Sequence, residues 1–567
     1  MIRIAGRESW NGPDERLDCS PSSGLQTEKL LQSGMDFATL RADLIGTDAV
    51  INTPFGERRV TYADYVASGR ALRSVEERIN TLALPLYANT HTEDSATGAH
   101  STHMSHQAAD YIRGQLGGDK TCKLVFCGSG STAAVRRIQD ILGLTVCGDH
   151  RATVLASIPE NERPVVFVGP YEHHSNEVSW RETLAEVVEL PLCDKGNLDL
   201  DALVQALKSP QYARRPKIGS FSAASNVTGL LTDTRTVARI LHQHGAYAFF
   251  DFAASGPYVK IDMKPGKPDG YDAVFLSPHK FVGGPGTPGL LCFQDHLYHL
   301  NVPSTAGGGT VRYVSRTKQV YIEDIEARED AGTPAILGKL RTALAFKVKE
   351  ELGVDELTAR EHELFARALE RLGTNERIQI LGNPQAARLA FLSFLVKTAD
   401  GSYLHPRLVV RLLNDLFGIQ ARGGCACAGP YGHVLLNIDD ERSERYMQCA
   451  LSNIDGLKPG WTRLNLAPWA SDEEVEFLLG AIEFVAEHGA RFLPLYDFDW
   501  MTGAWTHAQD EAPMDLFGDQ RPQTGEGEVP FAFYLAEAQR VLETLGPIGE
   551  GRAVPEYVPG DLVFFAH

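Results

Sequence analysis

Lys280 and Asp251 are the residues on which chemistry in this sequence can be built. Lys280 ends the tetrapeptide Ser277-Pro278-His279-Lys280, directly after the apolar run AVFLS (273–277) and before the glycine-rich FVGGPGTPG. A lysine at the end of a buried strand can be desolvated, which lowers its pKa and makes the amine a usable nucleophile. The glycines that follow let backbone pass close to a ligand. Taken alone, a solvated lysine in a turn is the plainer reading. Asp251 lies 29 residues earlier, near the end of YAFFDF (247–252). A carboxylate at the C-terminal end of a strand sits where α/β folds bind ligands, although a lone aspartate there also serves as a cap or turn residue. Together the two are the pair that pyridoxal phosphate requires: an amine to hold its aldehyde, and an acid that keeps the pyridine nitrogen protonated so the ring can act as an electron sink.

Other stretches fall in similar places. CGSGST (127–132) separates a strand from a helix, and its small residues free backbone N–H groups at a helix N-terminus, where a phosphate can bind. It is neither a P-loop nor a dinucleotide-type glycine motif. YEHHSN (171–176) follows VVFVG, and SNVTG (225–229) follows another apolar segment. An imidazole can stack on a flat cofactor, and an asparagine amide can hold a phenolic oxygen. Lone histidines are more often structural, so His173 and His174 count only through their company. Cys425 and Cys427 lie in RGGCACAGP (422–430). Two cysteines without a second pair make a poor zinc site, so no metal is expected. Cys425 also reads as a buried, inert thiol.

Elements must hold these residues at strand ends. From about 45 to 490 short apolar runs alternate with amphipathic stretches, the pattern of an α/β fold. KLVFC (123–127), VVFVG (165–169), YAFFDF and AVFLS lack strict alternation, as strands buried on both faces of a parallel sheet do. Helices are predicted over 131–143 and 232–245. Beyond 335 the texture changes to a helix at 354–372, a strand at 389–396, a helix at 407–417, a strand leading into Arg422, and a helix at 472–487. This reads as a smaller α+β domain. The expected organisation is an N-terminal extension (1–45), a large domain with its N-terminal segment (46–335), a small domain (336–490) and an appendage of unassigned role (491–567).

Composition narrows the classes. The 567 residues carry 54 Lys+Arg against 73 Asp+Glu, a formal charge of −19, with 43% hydrophobic and 22% charged residues. Such a chain has enough apolar surface to fold rather than remain disordered. Its pI near 5.4 disfavours nucleic-acid and anionic-lipid partners, both of which need clustered positive charge. No run reaches the roughly 18 apolar residues of a membrane span. The start, MIRIAGRESWNGPDERLD, lacks a signal-peptide core, and nine cysteines are sparse and odd in number, so a reducing cytoplasm is expected.

Over roughly 80–490 the chain resembles the class V, aspartate-aminotransferase-fold PLP enzymes, in their cysteine desulfurase and selenocysteine lyase branch. EHHSN, SNVTG, the Asp251 strand, SPHK, AGTP (331–334) and RGGCACAGP carry the resemblance. It implies a fold-type I architecture, with a mainly parallel seven-stranded sheet in the large domain and a smaller α+β domain. By position, Lys280 resembles the lysine that holds the cofactor, Asp251 the partner of the pyridine nitrogen, and His173 the histidine stacked on the ring. Asn226 resembles the amide beside the ring hydroxyl, while Ser129, Gly130, Ser277 and His279 match phosphate contacts. Thr333 resembles a threonine that reaches the phosphate of a partner subunit, which implies a homodimer. Cys427, followed by Ala-x-Pro, stands where desulfurases of this group take up sulfur. Arg463 resembles the arginine that grips the substrate carboxylate, and Arg422 is placed with it on the substrate. The chain departs from the pattern at Ala254, where a glutamine is usual, in a phosphate loop without its threonine-glutamate pair, and in a long segment between Cys427 and Arg463. The expected activity is removal of sulfur from cysteine or a related amino acid through an enzyme persulfide, with a possible sulfur-acceptor protein. The alternatives are another class V reaction (C–S lyase, epimerase or aminotransferase) and a non-catalytic PLP-binding scaffold.

Overall fold

Seven strands, all but the edge strand largely buried, form the sheet on which everything else is hung. They are Cys122–Cys127 (β1), Val165–Val168 (β2), Glu186–Glu189 (β3), Lys217–Ser222 (β4), Ala246–Asp251 (β5), Ala273–Leu276 (β6) and Gly289–Gln294 (β7). The computed structural model describes residues 35–90, 92–547 and 552–567; most of the extension expected over 1–45 lies outside the described residues. The sheet order is β1-β7-β6-β5-β4-β2-β3, and β7 alone runs antiparallel to its neighbours. Every residue of β2, β4, β6 and β7 is buried, which is why these runs show no alternation of apolar and polar positions.

Helices cover both faces. Ala96–Gln115 (α1) and Thr234–Gln243 (α3) bury Ile112, Val237 and Leu241 on one side, and Gly130–Ile141 (α2) buries Val135 and Ile138 on the other. Because the strands from β4 to β6 are parallel, their C-terminal ends share one edge, and Ser222, Asp251 and Phe275 lie side by side in register.

Ile336–Leu352 (α4) leads out of this layer and is joined through Gly353, at φ +80°, to Val354–Leu372 (α5). A four-stranded antiparallel sheet follows: Ile378–Ile380 (β8), Phe391–Val396 (β9), Arg422–Gly424 (β10) and Trp461–Asn465 (β11), in the order β8-β9-β11-β10. Pro406–Phe417 (α6) and Asp472–His488 (α7) pack on it. The strand expected to lead into Arg422 is divided. Ile419–Gln420 pairs in parallel with Thr61–Tyr62, and the chain then swings to pair Arg422–Gly424 with β11.

Two segments join the small domain's core. Leu40, Ala63, Tyr65 and Val66 pack in the same apolar cluster as Leu408, Leu412 and Leu464, although sequence placed 46–72 with the large domain. The appendage also folds into it. Phe531–Thr544 (α8) inserts Tyr534, Ala538 and Leu542, and Phe565–Ala566 pairs in parallel with Tyr403–Leu404. The two segments also meet: Ala49–Val50 pairs with Gln523–Thr524, and the Arg59 amide donates to the Tyr534 hydroxyl at 2.9 Å. Among the described residues, no helix is long and apolar enough to cross a membrane.

Candidate active site

The shared strand edge opens into a cavity of about 500 Å³, closed on its far side by the small domain. Lys280, Asp251, His173, Asn226, Ser129, Gly130, Ser277 and His279 line it from the large domain, and Arg422, Cys427 and Arg463 from the small one. Eleven of the twelve residues singled out in the sequence therefore meet in one place. Thr333 does not; it is exposed, outside this cavity.

Burial sets the electrostatics. The Lys280 amine is pushed down to about 8, chiefly by burial, with Asp251 opposing the shift and Arg463 adding to it. Asp251 is 3% exposed, and burial raises its carboxyl although the Ala253 amide donates to it at 2.9 Å. His173 and His279 both fall to about 4, from burial first and the Lys280 charge second, so each imidazole is neutral near pH 7. Ser175 fixes the His173 ring: its amide donates to Nδ1 at 3.1 Å, and its hydroxyl lies 3.0 Å from the same atom.

At the N-terminus of α2 the backbone is shaped for close approach. Gly130 adopts φ +57°, and a Cβ there would lie 2.9 Å from the Ser277 Oγ. Ser131 N–H donates to that oxygen at 2.8 Å, and Ser129 stands at the N-cap without its side chain capping the helix. Small hydroxyls, a neutral imidazole and a helix N-terminus make an anion cradle.

The Cys427 loop is held under strain. Ala426 and Cys427 adopt φ of +50° and +57° in succession, a region that L-residues occupy at a cost of about 1–2 kcal/mol each. Three hydrogen bonds hold the turn: His174 N–H to the Cys427 carbonyl at 3.0 Å, Gly429 N–H to His174 Nε2 at 2.9 Å, and Asn226 Nδ2 to the Ala426 carbonyl at 2.7 Å. Asn226 Oδ1 is buried without a partner among the described residues. Cys425 is exposed and lies outside the cavity, which corrects its reading as a buried thiol: the turn directs it outward.

Two carboxylates were missed in the sequence. Glu172 is buried beneath the site, accepting from Ser222 N–H (2.9 Å), Ser222 Oγ (2.6 Å) and Asn176 Nδ2 (2.7 Å), and burial pushes it up to about 7. Its place beside His173 in YEHHSN was the available signal. Asp64 comes from the N-terminal segment, accepting from Arg422 Nε at 2.9 Å and Arg463 Nη2 at 3.0 Å. Nothing local in TYADY marks it. Arg463 is 4% exposed and spends its other terminal nitrogen on the Asn226 carbonyl at 2.8 Å, whereas Arg422 is exposed and, among the described residues, its guanidinium is hydrogen-bonded through Nε alone.

The family model for aminotransferase class V matches residues 61–478. The chain belongs to the class-V aminotransferase family. As a class-V enzyme it is of the transferase or lyase type, and the strand-edge cavity falls inside the matched region. It is 27% identical, over 71% of its length and 92% of the relative, to a probable cysteine desulfurase of Halalkalibacterium halodurans. It is 26% identical, over 75% of its length and 96% of the relative, to a probable cysteine desulfurase of Halobacterium salinarum. The fold is similar to that of a cysteine desulfurase from Thermococcus onnurineus (TM-score 0.63, 22% identity, 80% of this chain and 99% of the other). A cysteine desulfurase from Escherichia coli is similar too (TM-score 0.61, 22% identity, with the same coverage).

Proposed function

We propose that this class-V enzyme is a pyridoxal-phosphate-dependent cysteine desulfurase that works through a persulfide on Cys427. The observation that carries the reading is that Cys427, from the small domain, lines the same cavity as Lys280 and Asp251. The residues present fit the cofactor. Gly130, where a Cβ would collide with Ser277, lets the α2 N-terminus close up on Ser277 at the cavity edge, where a phosphate would bind, and Asp251 is buried where a pyridinium would neutralise it. His173 is neutral and so suited to lie against the ring. When bound, the cofactor supplies an electron sink for charge developing at the substrate's Cα.

The chain's own groups do the rest. Lys280, lowered to about 8, has a substantial neutral population near that pH and carries the proton at Cα. Arg422 offers its free terminal nitrogens to the substrate carboxylate, with Arg463 as the buried charge behind it. The Cys427 thiolate attacks the substrate sulfur; the new S–S bond forms as the C–S bond breaks, and protonation at Cβ and then at Cα releases alanine. An acceptor protein with a thiol then takes the terminal sulfur. The sparse, odd set of cysteines supports a reducing cytoplasm as the setting. A second copy of the chain is the expected partner: Thr333 is exposed, and Leu82, Leu84, Leu86 and Tyr87 form an exposed apolar run of the kind a dimer covers.

The test is Cys427→Ser. This variant should retain the cofactor and lose sulfide release from cysteine, since a hydroxyl is too weak a nucleophile to take sulfur near neutral pH. Mass spectrometry of the wild-type protein after cysteine treatment should find one added sulfur on the Cys427 peptide. Full activity in the variant, with no added sulfur in the wild type, would transfer the assignment to a class-V reaction that needs no cysteine.

A further inference from the structure

Arg422 and Arg463 stand directly opposite each other in the β10–β11 ladder. Like charges in register across an antiparallel pair repel, so the pair needs a counter-charge. Asp64 supplies it, with Oδ2 on Arg422 and Oδ1 on Arg463. Its carboxylate is itself largely buried, at 12% side-chain exposure. Asp64 and the Asn226 carbonyl together engage the two terminal nitrogens of Arg463, whereas Asp64 tethers Arg422 through Nε, leaving its terminal nitrogens as a bidentate edge in the cavity lining. Two guanidiniums and one carboxylate leave this wall with one net positive charge, while the imidazoles beyond it, His173 and His279, are neutral near pH 7.

We propose that Asp64 is a specificity-determining residue: by cancelling one of the paired arginines it fits the site to an amino acid with a single carboxylate and turns away one that carries a second anionic group on its side chain. This rests on the reading of the cavity as an amino-acid site. A second anion entering it would meet no uncompensated cation on this wall, because the Asp64 charge offsets one of the two guanidiniums. With Asp64 neutralised, the freed Arg463 charge becomes available to such an anion. At an effective dielectric typical of protein sites, one unit charge at this range changes relative affinity on the order of tenfold or more.

The experiment measures calorimetric affinities of the holoprotein for L-alanine and L-aspartate, which differ by a side-chain carboxylate. The wild type should bind alanine more tightly. In Asp64→Asn the ratio of the aspartate to the alanine dissociation constant should fall on the order of tenfold. Asp64→Glu, which keeps the charge, should keep the wild-type preference; a merely structural role would not separate these variants by charge. Wild-type protein that binds aspartate as tightly as alanine overturns the proposal whether or not Asp64→Asn folds. So does an unmoved ratio in folded Asp64→Asn, or a Glu variant that behaves like the Asn one. Sulfide release from cysteine is measured separately: its absence in the wild type, with the ratio shifting as described, would remove the desulfurase reading and leave this one standing.

Discussion

Lys280 shows how burial converts an ordinary residue into a reactive one. In water its amine would be protonated throughout the physiological range; within the cavity it titrates near 8, because desolvation outweighs the stabilising pull of Asp251. Asp251 pays the same penalty in the opposite sense and gains most from a cation placed against it. Borohydride treatment of the holoprotein should therefore fix the cofactor to the peptide containing Lys280, as read by mass spectrometry. Lys280→Ala should show no such adduct and should lose turnover by several orders of magnitude, because it removes both the attachment point and the base. A reducible linkage persisting in that variant would mean that another amine holds the cofactor.

The element that decides anion binding is the turn between β1 and α2. Its geometry depends on Gly130, because alanine at φ +57° costs about 1–2 kcal/mol and its Cβ would press on the Ser277 hydroxyl at 2.9 Å. Gly130→Ala should lower the thermal stability of the apoprotein slightly and weaken cofactor retention on dialysis by about tenfold or more, if the closer contact displaces Ser277 by a few tenths of an ångström. Ser277→Ala should weaken retention less, since it removes one donor and leaves the turn intact. Unchanged retention in Gly130→Ala would detach this turn from the phosphate. The Cys427 turn differs in kind: it is strained and held by His174 and Asn226 rather than by glycine at its left-handed positions, so its conformation depends on the segments it touches.

At the scale of the molecule, the N-terminal segment, the small domain and the C-terminal appendage form one body around the cavity's outer wall. Tyr65, Leu412, Leu464, Tyr534 and Phe565 share one apolar cluster, and within that body Asp64 of the N-terminal segment reaches both small-domain arginines. Thr333 is exposed, and so are Leu82, Leu84, Leu86 and Tyr87, and a second copy of the chain is the proposed partner. If Thr333 completes the neighbour's phosphate site, Lys280→Ala protein and Thr333→Asp protein should each be nearly inactive, and mixing them through a cycle of mild dissociation should restore up to a quarter of the wild-type activity, since half of the protomer pairs are mixed and one site of each mixed pair is intact. A fully active monomer by light scattering, or no recovery in demonstrably mixed dimers, would refute this arrangement.

The β1, β2, β5 and β6 strands, and the residues at their ends, were legible in the sequence because they are local facts. An unbroken apolar run signals a strand buried on both faces, and a polar residue just past such a run must sit at the sheet's edge. Asp251, Ser277 and Lys280 are of this kind, and α5, α6 and α7 fall within a residue of their expected limits because amphipathic periods and caps are local as well. The appendage was opaque for the converse reason: its period at Tyr534, Ala538 and Leu542 is diluted by the exposed Phe533, and its pairings with Ala49–Val50 and Tyr403–Leu404 depend on partners more than a hundred residues away. Tertiary structure alone decided which arginine keeps free donors. Arg422 and Arg463 are 41 residues apart in the chain and look alike there; only the β10–β11 register and a carboxylate from position 64 make one a buried counter-charge and the other an open fork. Charge pairing across such separations leaves no periodic trace, because it depends on where three segments meet rather than on what any one of them contains.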